Sequence, residues 1–270
     1  MLVEILQHES TGSYWRTRFA APEIATAYQP GQFIMVNVHI GQVGSSFDPL
    51  LRRPFSLLET NPTEGWIDVL FKVKGRGTRL MSGWHVGETV DIAGPFGHGF
   101  DLHLSGRSFV LVGGGVGVPP LYTVADELVK RAPAPEIRLL LGGRSKEDIY
   151  VRSIDGMNVS VATEDGSKGT KGLVTNLLKT VLSSASVLKP VILTCGPTPM
   201  MKAVAEIAAA HNVPCQVSLE NRMACAIGTC LGCVVPMAEG REKPYERVCT
   251  EGPVFDAAWL GWSSENWPRA

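Results

Sequence analysis

Residues 109–120 read Phe109-Val110-Leu111-Val112-Gly113-Gly114-Gly115-Val116-Gly117-Val118-Pro119-Pro120. Four apolar residues make a short strand, the glycines make a turn, and the prolines open a helix with Leu121, Val124, Leu128 and Val129 on one face. Strand, glycine turn and helix in that order place a diphosphate on a helix N-terminus. The run does not complete G-x-G-x-x-G/A, because Val118 or Pro120 occupies the last place in the available registers. From Ser108 to Ala125 the chain carries no charge, but its glycines and prolines make it strand, turn and helix start rather than a membrane span.

Downstream, strands are expected at Ile137 to Leu141, Val159 to Thr163 and Val191 to Cys195, with helices near Leu173 to Leu182 and Pro199 to Ala210. Strands alternating with helices give a parallel sheet with crossovers, a doubly wound Rossmann-like layer over residues 104–212. Gly166 to Gly172 reads G-S-K-G-T-K-G, which does not meet the G-x-x-x-x-G-K order of a Walker loop.

Upstream, residues 1–103 read as many short strands without intervening helices. Phe33 to Ile40 is mixed apolar and alternating, Trp66 to Lys74 has a clearer period of two, and turn signals stand at Pro30-Gly31, Asn61-Pro62, Gly75 to Gly77 and Gly94-Pro95. An antiparallel β-barrel is the expectation. Within it, Arg52-Arg53-Pro54-Phe55-Ser56 ends a loop and opens a strand. A guanidinium can grip a diphosphate, an aromatic can stack on a ring, and a hydroxyl can reach a heteroatom. Taken alone, the pentapeptide reads better as a surface arginine pair before a hydrophobic strand. Gly75-Arg76-Gly77-Thr78 could present amides and a hydroxyl to a phosphate, or be a plain hairpin turn.

Residues 213–270 hold the strongest signal. Cys225, Cys230, Cys233 and Cys249 stand as C-x4-C-x2-C-x15-C, the plant-type spacing for a two-iron, two-sulfide cluster. Ala226, Gly228, Thr229 and Gly232 are small, so amides can approach the cluster sulfurs. A structural zinc site is the competing reading, but zinc ligands come as two close cysteine pairs, whereas here three crowd together and one stands apart. Cys215 reads as core, and none of the six histidines shows ligand spacing.

At 270 residues, two domains and a small appendage are the natural division. The expected class is α+β multidomain: β-barrel (1–103), α/β layer (104–212) and cluster segment (213–270). A net charge of −1 without a basic stripe argues against nucleic-acid binding. The N-terminus lacks the basic and apolar regions of a signal peptide, and reduced metal-binding cysteines fit a cytoplasmic setting.

Together these pieces resemble the ferredoxin–NADP reductase superfamily across the whole chain. R-P-F-S from Arg53 fits its flavin motif, the turn at Gly113 its pyridine-nucleotide motif, and Cys195-Gly196-Pro197 its C-G-P signature. Within it, the chain is most similar to the electron-transfer subunits of NAD-linked dihydroorotate dehydrogenases. The marks are L-L-R-R-P-F-S, G-x-G-T-R-L, L-V-G-G-G-V-G-V-P-P-L, C-G-P-T-P-M, the E-x-R-M-A-C-x-I-G-x-C-L-G-C loop and R-V-C-x-x-G-P-V-F from Arg247 to Phe255.

The resemblance implies that Arg53, Pro54, Phe55 and Ser56 bind FAD, with Arg53 at the diphosphate and Ser56 near the reactive edge. Leu70, Phe71 and Lys72 would line the cofactor, and Gly77 and Thr78 would hold its phosphates. Lys72 stands where the family more often carries arginine. Gly113, Gly114, Gly115, Gly117, Gly196 and Pro197 would receive NAD. Cys195 would lie near the nicotinamide–flavin contact, or be a small buried residue at a strand end. Glu164 and Asp165 fall near where NADP-using relatives place a serine–arginine pair, so carboxylates there favour NAD.

NADH yields two electrons at once and a two-iron cluster takes one, so a flavin belongs between them. The implied partner is a dihydroorotate dehydrogenase catalytic subunit carrying FMN, in a heterotetramer, with electrons running FMN, iron–sulfur, FAD, NAD. A related reductase subunit of a sulfhydrogenase or ferredoxin-linked transhydrogenase, and a non-enzymatic zinc-stapled binding protein, are the alternatives.

Overall fold

A computed structural model describes residues 1–40, 48–104, 108–185, 187–265 and 267. The first strands are β1 (Leu2–Thr11), β2 (Tyr14–Ala20), β3 (Phe33–Ile40), β4 (Arg53–Asn61), β5 (Trp66–Phe71) and β6 (Thr89–Phe96). They close an antiparallel barrel in the order β1-β2-β5-β4-β3-β6. Two short helices, α1 (Pro22–Ala27) and α2 (Arg76–Met81), link its strands. The barrel interior is filled by Ile5, Phe19, Ile34, Val36, Leu57 and Ile67, all fully buried, as the period-two patterning requires. Strand β5 is shorter than its alternation suggests, ending at Phe71 where Lys72 turns out of the barrel.

The α/β layer is built from β7 (Ser108–Gly114), α3 (Pro119–Leu128), β8 (Glu136–Gly143), β9 (Met157–Thr163), β10 (Thr170–Lys171), α4 (Val174–Leu182), β11 (Pro190–Cys195), α5 (Thr198–Ala210) and β12 (Cys215–Ser218). After β13 (Val234–Pro236) and β14 (Tyr245–Arg247), which pair with each other, the chain returns as β15 (Val254–Asp256). One seven-stranded sheet results, ordered β10-β9-β8-β7-β11-β12-β15, parallel except for β15. Thus β12 and β15, both beyond residue 212, are strands of this sheet. The segment between them hangs from its edge, its two ends tied where the Leu219 amide donates to the Pro253 carbonyl at 2.8 Å.

Helix α3 departs from a simple amphipathic pattern. Leu121, Tyr122, Val124, Ala125 and Leu128 are all fully buried, and so nearly is Thr123. The helix lies between its own sheet and the barrel strand β4, and a helix enclosed on both sides must be apolar on both. The junction also carries polar ties. Tyr28 on the barrel hydrogen-bonds Thr123 at 3.1 Å, and Arg152 pairs with Asp126 on α3 at 2.5 Å and with Glu59 on β4 at 3.4 Å. Among the described residues no helix is long and apolar enough to cross a membrane.

Candidate functional site

A cleft of about 230 Å³ opens where barrel, sheet and cysteine segment meet. Pro54, Phe55 and Ser56 of β4 and Leu70 of β5 line the barrel side, with Phe71 and Lys72 beyond them. Thr78 borders it at α2, and Val116 and Gly117 close it from the glycine turn. An apolar floor with a rim of hydroxyl, carboxyl and ammonium groups suits a flat heteroaromatic ring with polar edges, so these residues fit a flavin.

Arg52 and Arg53 have different surroundings. Arg52 pairs with Asp91 on β6. Arg53 donates to the Leu51 carbonyl at 2.5 Å and has no carboxylate partner among the described residues. It lies against Gly77, where a Cβ would stand 3.4 Å from its Nε. Strand β4 therefore leaves one cation, beside the start of α2, available for an anion. Within the chain the Thr78 hydroxyl accepts the amides of Lys74 at 3.0 Å and Gly75 at 3.2 Å. It shapes the loop that would meet a phosphate. Lys72 likewise reaches across the junction, donating to the Glu147 carbonyl at 2.8 Å and Asp148 Oδ1 at 2.7 Å. Burial works against ionisation of Asp148, but Lys72 and the Arg144 amide hold its carboxyl below the usual range.

On the sheet side, β7 and β11 are parallel neighbours, with Gly113 opposite Cys195. Their turns pack backbone against backbone. A Cβ on Gly117 would stand 2.6 Å from Gly196 Cα, and one on Gly114 2.6 Å from Met200 Sδ and 2.7 Å from Pro197 Cδ. Glycine is thus required here for close approach of two βα turns, at the place where sheet order reverses direction and α/β sheets receive ligands. Cys195 sits behind this contact, buried, with its thiol pushed well up by burial. Glu164 and Asp165 follow β9, exposed at the carboxyl end of the same sheet. Asp165 accepts from the Ser167 amide at 2.9 Å and hydroxyl at 2.7 Å, which lowers its pKa and keeps it charged.

The four cysteines fall into pairs. Cys225 and Cys230 touch, the Cys230 amide donating to Cys225 Sγ at 3.4 Å, and Cys233 and Cys249 touch each other in the interior. Among the described residues no three His, Cys, Asp or Glu side chains gather as the shell of one ion. The four thiols would together supply the ligands of a two-iron, two-sulfide cluster, the group that their spacing in the chain fits. The amides of Cys230, Ile227 and Thr229 lower the Cys225 thiol to about 6, as a thiolate ligand needs. Burial, with Cys249 alongside, raises Cys233 to about 11. Ala226 and Leu231 adopt left-handed backbone conformations, φ 59° and 56°, as the loop curls. Cys215 is core, pushed by burial up to about 12.

Among the cleft residues to which the motifs assign no cofactor role are Lys74, Glu220, Asn221 and Met223. Glu220 keeps accessible surface yet is ringed by protein, and burial raises its carboxyl while Lys74 pulls the other way. Its only sequence signal is its place at the head of the cysteine loop.

A family model described as the iron–sulfur cluster binding domain of dihydroorotate dehydrogenase B matches residues 220–260, and an oxidoreductase NAD-binding domain matches 111–206. The chain is 41% identical over 233 residues to the dihydroorotate dehydrogenase B (NAD(+)) electron transfer subunit of Bacillus caldolyticus, with 85% of each chain covered. It is 37% identical over 250 residues to that of Desulforamulus reducens, covering 90% of this chain and 91% of the other. Among solved structures, it matches a chain of the NADH-dependent reduced ferredoxin-NADP oxidoreductase studied for flavin-based electron bifurcation. There the TM-score is 0.81 and the identity 28%, over 97% of this chain and 91% of that one. A ferredoxin NADP+ reductase from Neisseria gonorrhoeae shares the fold at 15% identity and TM-score 0.62, over 78% and 91%.

Proposed function

The chain belongs to the family of dihydroorotate dehydrogenase B electron transfer subunits, and on that footing we propose that it passes electrons from an FMN-bearing catalytic subunit, by way of a [2Fe–2S] cluster and FAD, to NAD+ in pyrimidine biosynthesis. The observation that carries this reading is a shared wall. Leu219, Glu220, Asn221 and Met223, which lead into the cysteine loop, line the same cleft as Pro54, Phe55 and Ser56. That the residues leading into the cysteine loop share this cleft with the residues expected at the flavin supports the reading. FAD, when bound, exchanges a hydride with nicotinamide and single electrons with the cluster.

The residues divide this work. Arg53 meets the FAD diphosphate, Pro54 and Phe55 seat the ring, and Ser56 faces its reactive edge, with Leu70, Phe71 and Gly77 shaping the cleft. Thr78 and Lys72 act indirectly, through the α2 loop and the junction to Asp148. Gly113, Gly114, Gly115, Gly117, Gly196 and Pro197 form the bed for NAD, with Glu164 and Asp165 selecting against a 2′-phosphate. Cys225, Cys230, Cys233 and Cys249 hold the cluster. Residues 1–103, 104–212 and 213–270 serve FAD, NAD and cluster in turn, in a cytoplasmic heterotetramer with two catalytic subunits. Higher identity to the dihydroorotate dehydrogenase subunits than to the bifurcating reductase favours this partner over a transhydrogenase one.

The test is reconstitution. Alone, the chain should oxidise NADH with artificial acceptors and leave dihydroorotate untouched. Mixed with the FMN subunit from the same source, it should confer NAD-dependent dihydroorotate oxidation. Turnover of dihydroorotate by the isolated chain, or failure of the two to associate in sedimentation, would overturn the reading.

A further inference from the structure

Arg247 ends β14, two residues before Cys249, and reaches back to the loop that carries Cys225 and Cys230. Its Nη1 donates to the Gly228 carbonyl at 3.0 Å. Its Nε donates to Glu251 Oε2 at 2.8 Å, and its Nη2 pairs with the other carboxylate oxygen. Glu251 is fixed in turn by the Arg247 amide at 2.8 Å and the Thr250 hydroxyl at 3.1 Å. The guanidinium is thus aimed rather than free. Gly228 has φ 81°, and a Cβ there would stand 2.9 Å from Arg247 Nη1, so glycine serves both the turn and the cation's approach.

Two consequences follow from this placement. The arginine joins the segment bearing Cys249, whose neighbour Val248 donates to the Cys233 carbonyl at 3.0 Å, to the loop bearing the other cysteine pair. It also acts on a particular peptide unit. The Gly228 carbonyl and the Thr229 amide belong to one peptide group, in the turn between Cys225 and Cys230, whose amide donates to Cys225 Sγ at 3.4 Å. A cation on the oxygen of a peptide strengthens its N–H as a donor. Donors to cluster sulfurs stabilise the more negative, reduced state.

We propose that Arg247 is a positioning residue for the cluster, holding its two cysteine pairs in register and raising its reduction potential through the Gly228–Thr229 peptide. This rests on the assignment of the four cysteines to a [2Fe–2S] centre.

The experiment is a redox titration followed by electron paramagnetic resonance, on the full chain in complex with its catalytic subunit. Wild type is compared with Arg247→Gln, Arg247→Lys and Glu251→Gln. Arg247→Gln should lower the one-electron reduction equilibrium about tenfold, about 59 mV. Arg247→Lys, which keeps the charge, should recover at least half of that shift. Glu251→Gln, which leaves the cation without its counter-charge, should shift the potential upward. An unchanged midpoint in Arg247→Gln at full iron and sulfide content overturns the proposal. So do equal shifts in the Lys and Gln variants, and so does a downward shift, or loss of the cluster, in Glu251→Gln. If Arg247→Gln fails to keep its cluster, the sign in Glu251→Gln decides. The potentials are read on the cluster itself. Opposed shifts in a complex that does not oxidise dihydroorotate would therefore support Arg247's role and overturn the proposed function instead.

Discussion

Arg52 is tied to Asp91, the same carboxylate that receives the chain's N-terminal ammonium at 3.3 Å, whereas Arg53 next to it has Gly77 as its neighbour. The two arginines should therefore separate cleanly on mutation. Arg53→Ala should weaken FAD binding roughly tenfold or more, the loss of a charged hydrogen bond worth about 1.5–3 kcal/mol. Arg52→Ala should leave FAD affinity near wild type and lower Tm. Flavin fluorescence on dilution reads the first effect and calorimetry the second.

Coenzyme choice should follow the carboxylates after β9. Asp165 is held ionised by Ser167, and Glu164 is exposed beside it. NADH should exceed NADPH in kcat/KM on the order of tenfold or more, since like charges repel the 2′-phosphate. Glu164→Ser with Asp165→Arg should narrow the gap. Steady-state kinetics with ferricyanide as acceptor checks both statements.

The Lys72–Asp148 contact gives a pH-dependent prediction. The folded-state pKa of Asp148 is depressed, so its contribution is full above the ordinary carboxylate value and is lost as pH falls through the lower folded value. Lys72→Met should cost about 1 kcal/mol at pH 7, the upper end for an ion pair that keeps some contact with solvent. In urea unfolding, the gap between variant and wild type should close as pH falls below the carboxylate range.

Ile227 is 64% exposed and Leu231 59%, both on the loop that carries the outer cysteine pair. Apolar side chains so placed suit the core of a contact with an electron donor. Ile227→Glu or Leu231→Asp should dissociate the catalytic subunit while the visible spectrum of the cluster persists. Leu231 has φ 56°, a conformation that aspartate tolerates better than most residues, so the second variant should fold. Analytical ultracentrifugation with absorbance detection reads both quantities in one run.

What the chain revealed before its structure divides along a physical line. Phe33 to Ile40 reads as a strand and β3 spans those residues, but Phe33 and Met35 pack into one buried cluster and Ile34, Val36 and Val38 into another, so both faces are covered. The cysteine spacing is likewise a local chemical pattern, read off the chain without the fold. Features set by distant chain were not legible. The all-round burial of α3 depends on a barrel strand well upstream, and the placing of β12 and β15 in the sheet depends on pairing across a long excursion. Thr78 and Lys72 also have partners within the chain that residue type does not reveal: two amides for one, Asp148 for the other. Residue type reveals what a group can bind, and only geometry reveals what reaches it first.

The segment from Leu219 to Pro253 leaves the sheet and re-enters it on adjoining strands, with Ser218 opposite Val254. Its ends are already together, so the entropy of closing the excursion is supplied by the sheet, whatever the excursion contains. By its ends the segment has the geometry of a cassette, but Met223, Val235 and Val248 share one buried cluster with Val110, Ile192 and Val217 of the sheet. A short hairpin joining Ser218 to Val254 should keep the strand pairing yet uncover that apolar face, so any metal-binding insert grafted at the same two points has to cover it again.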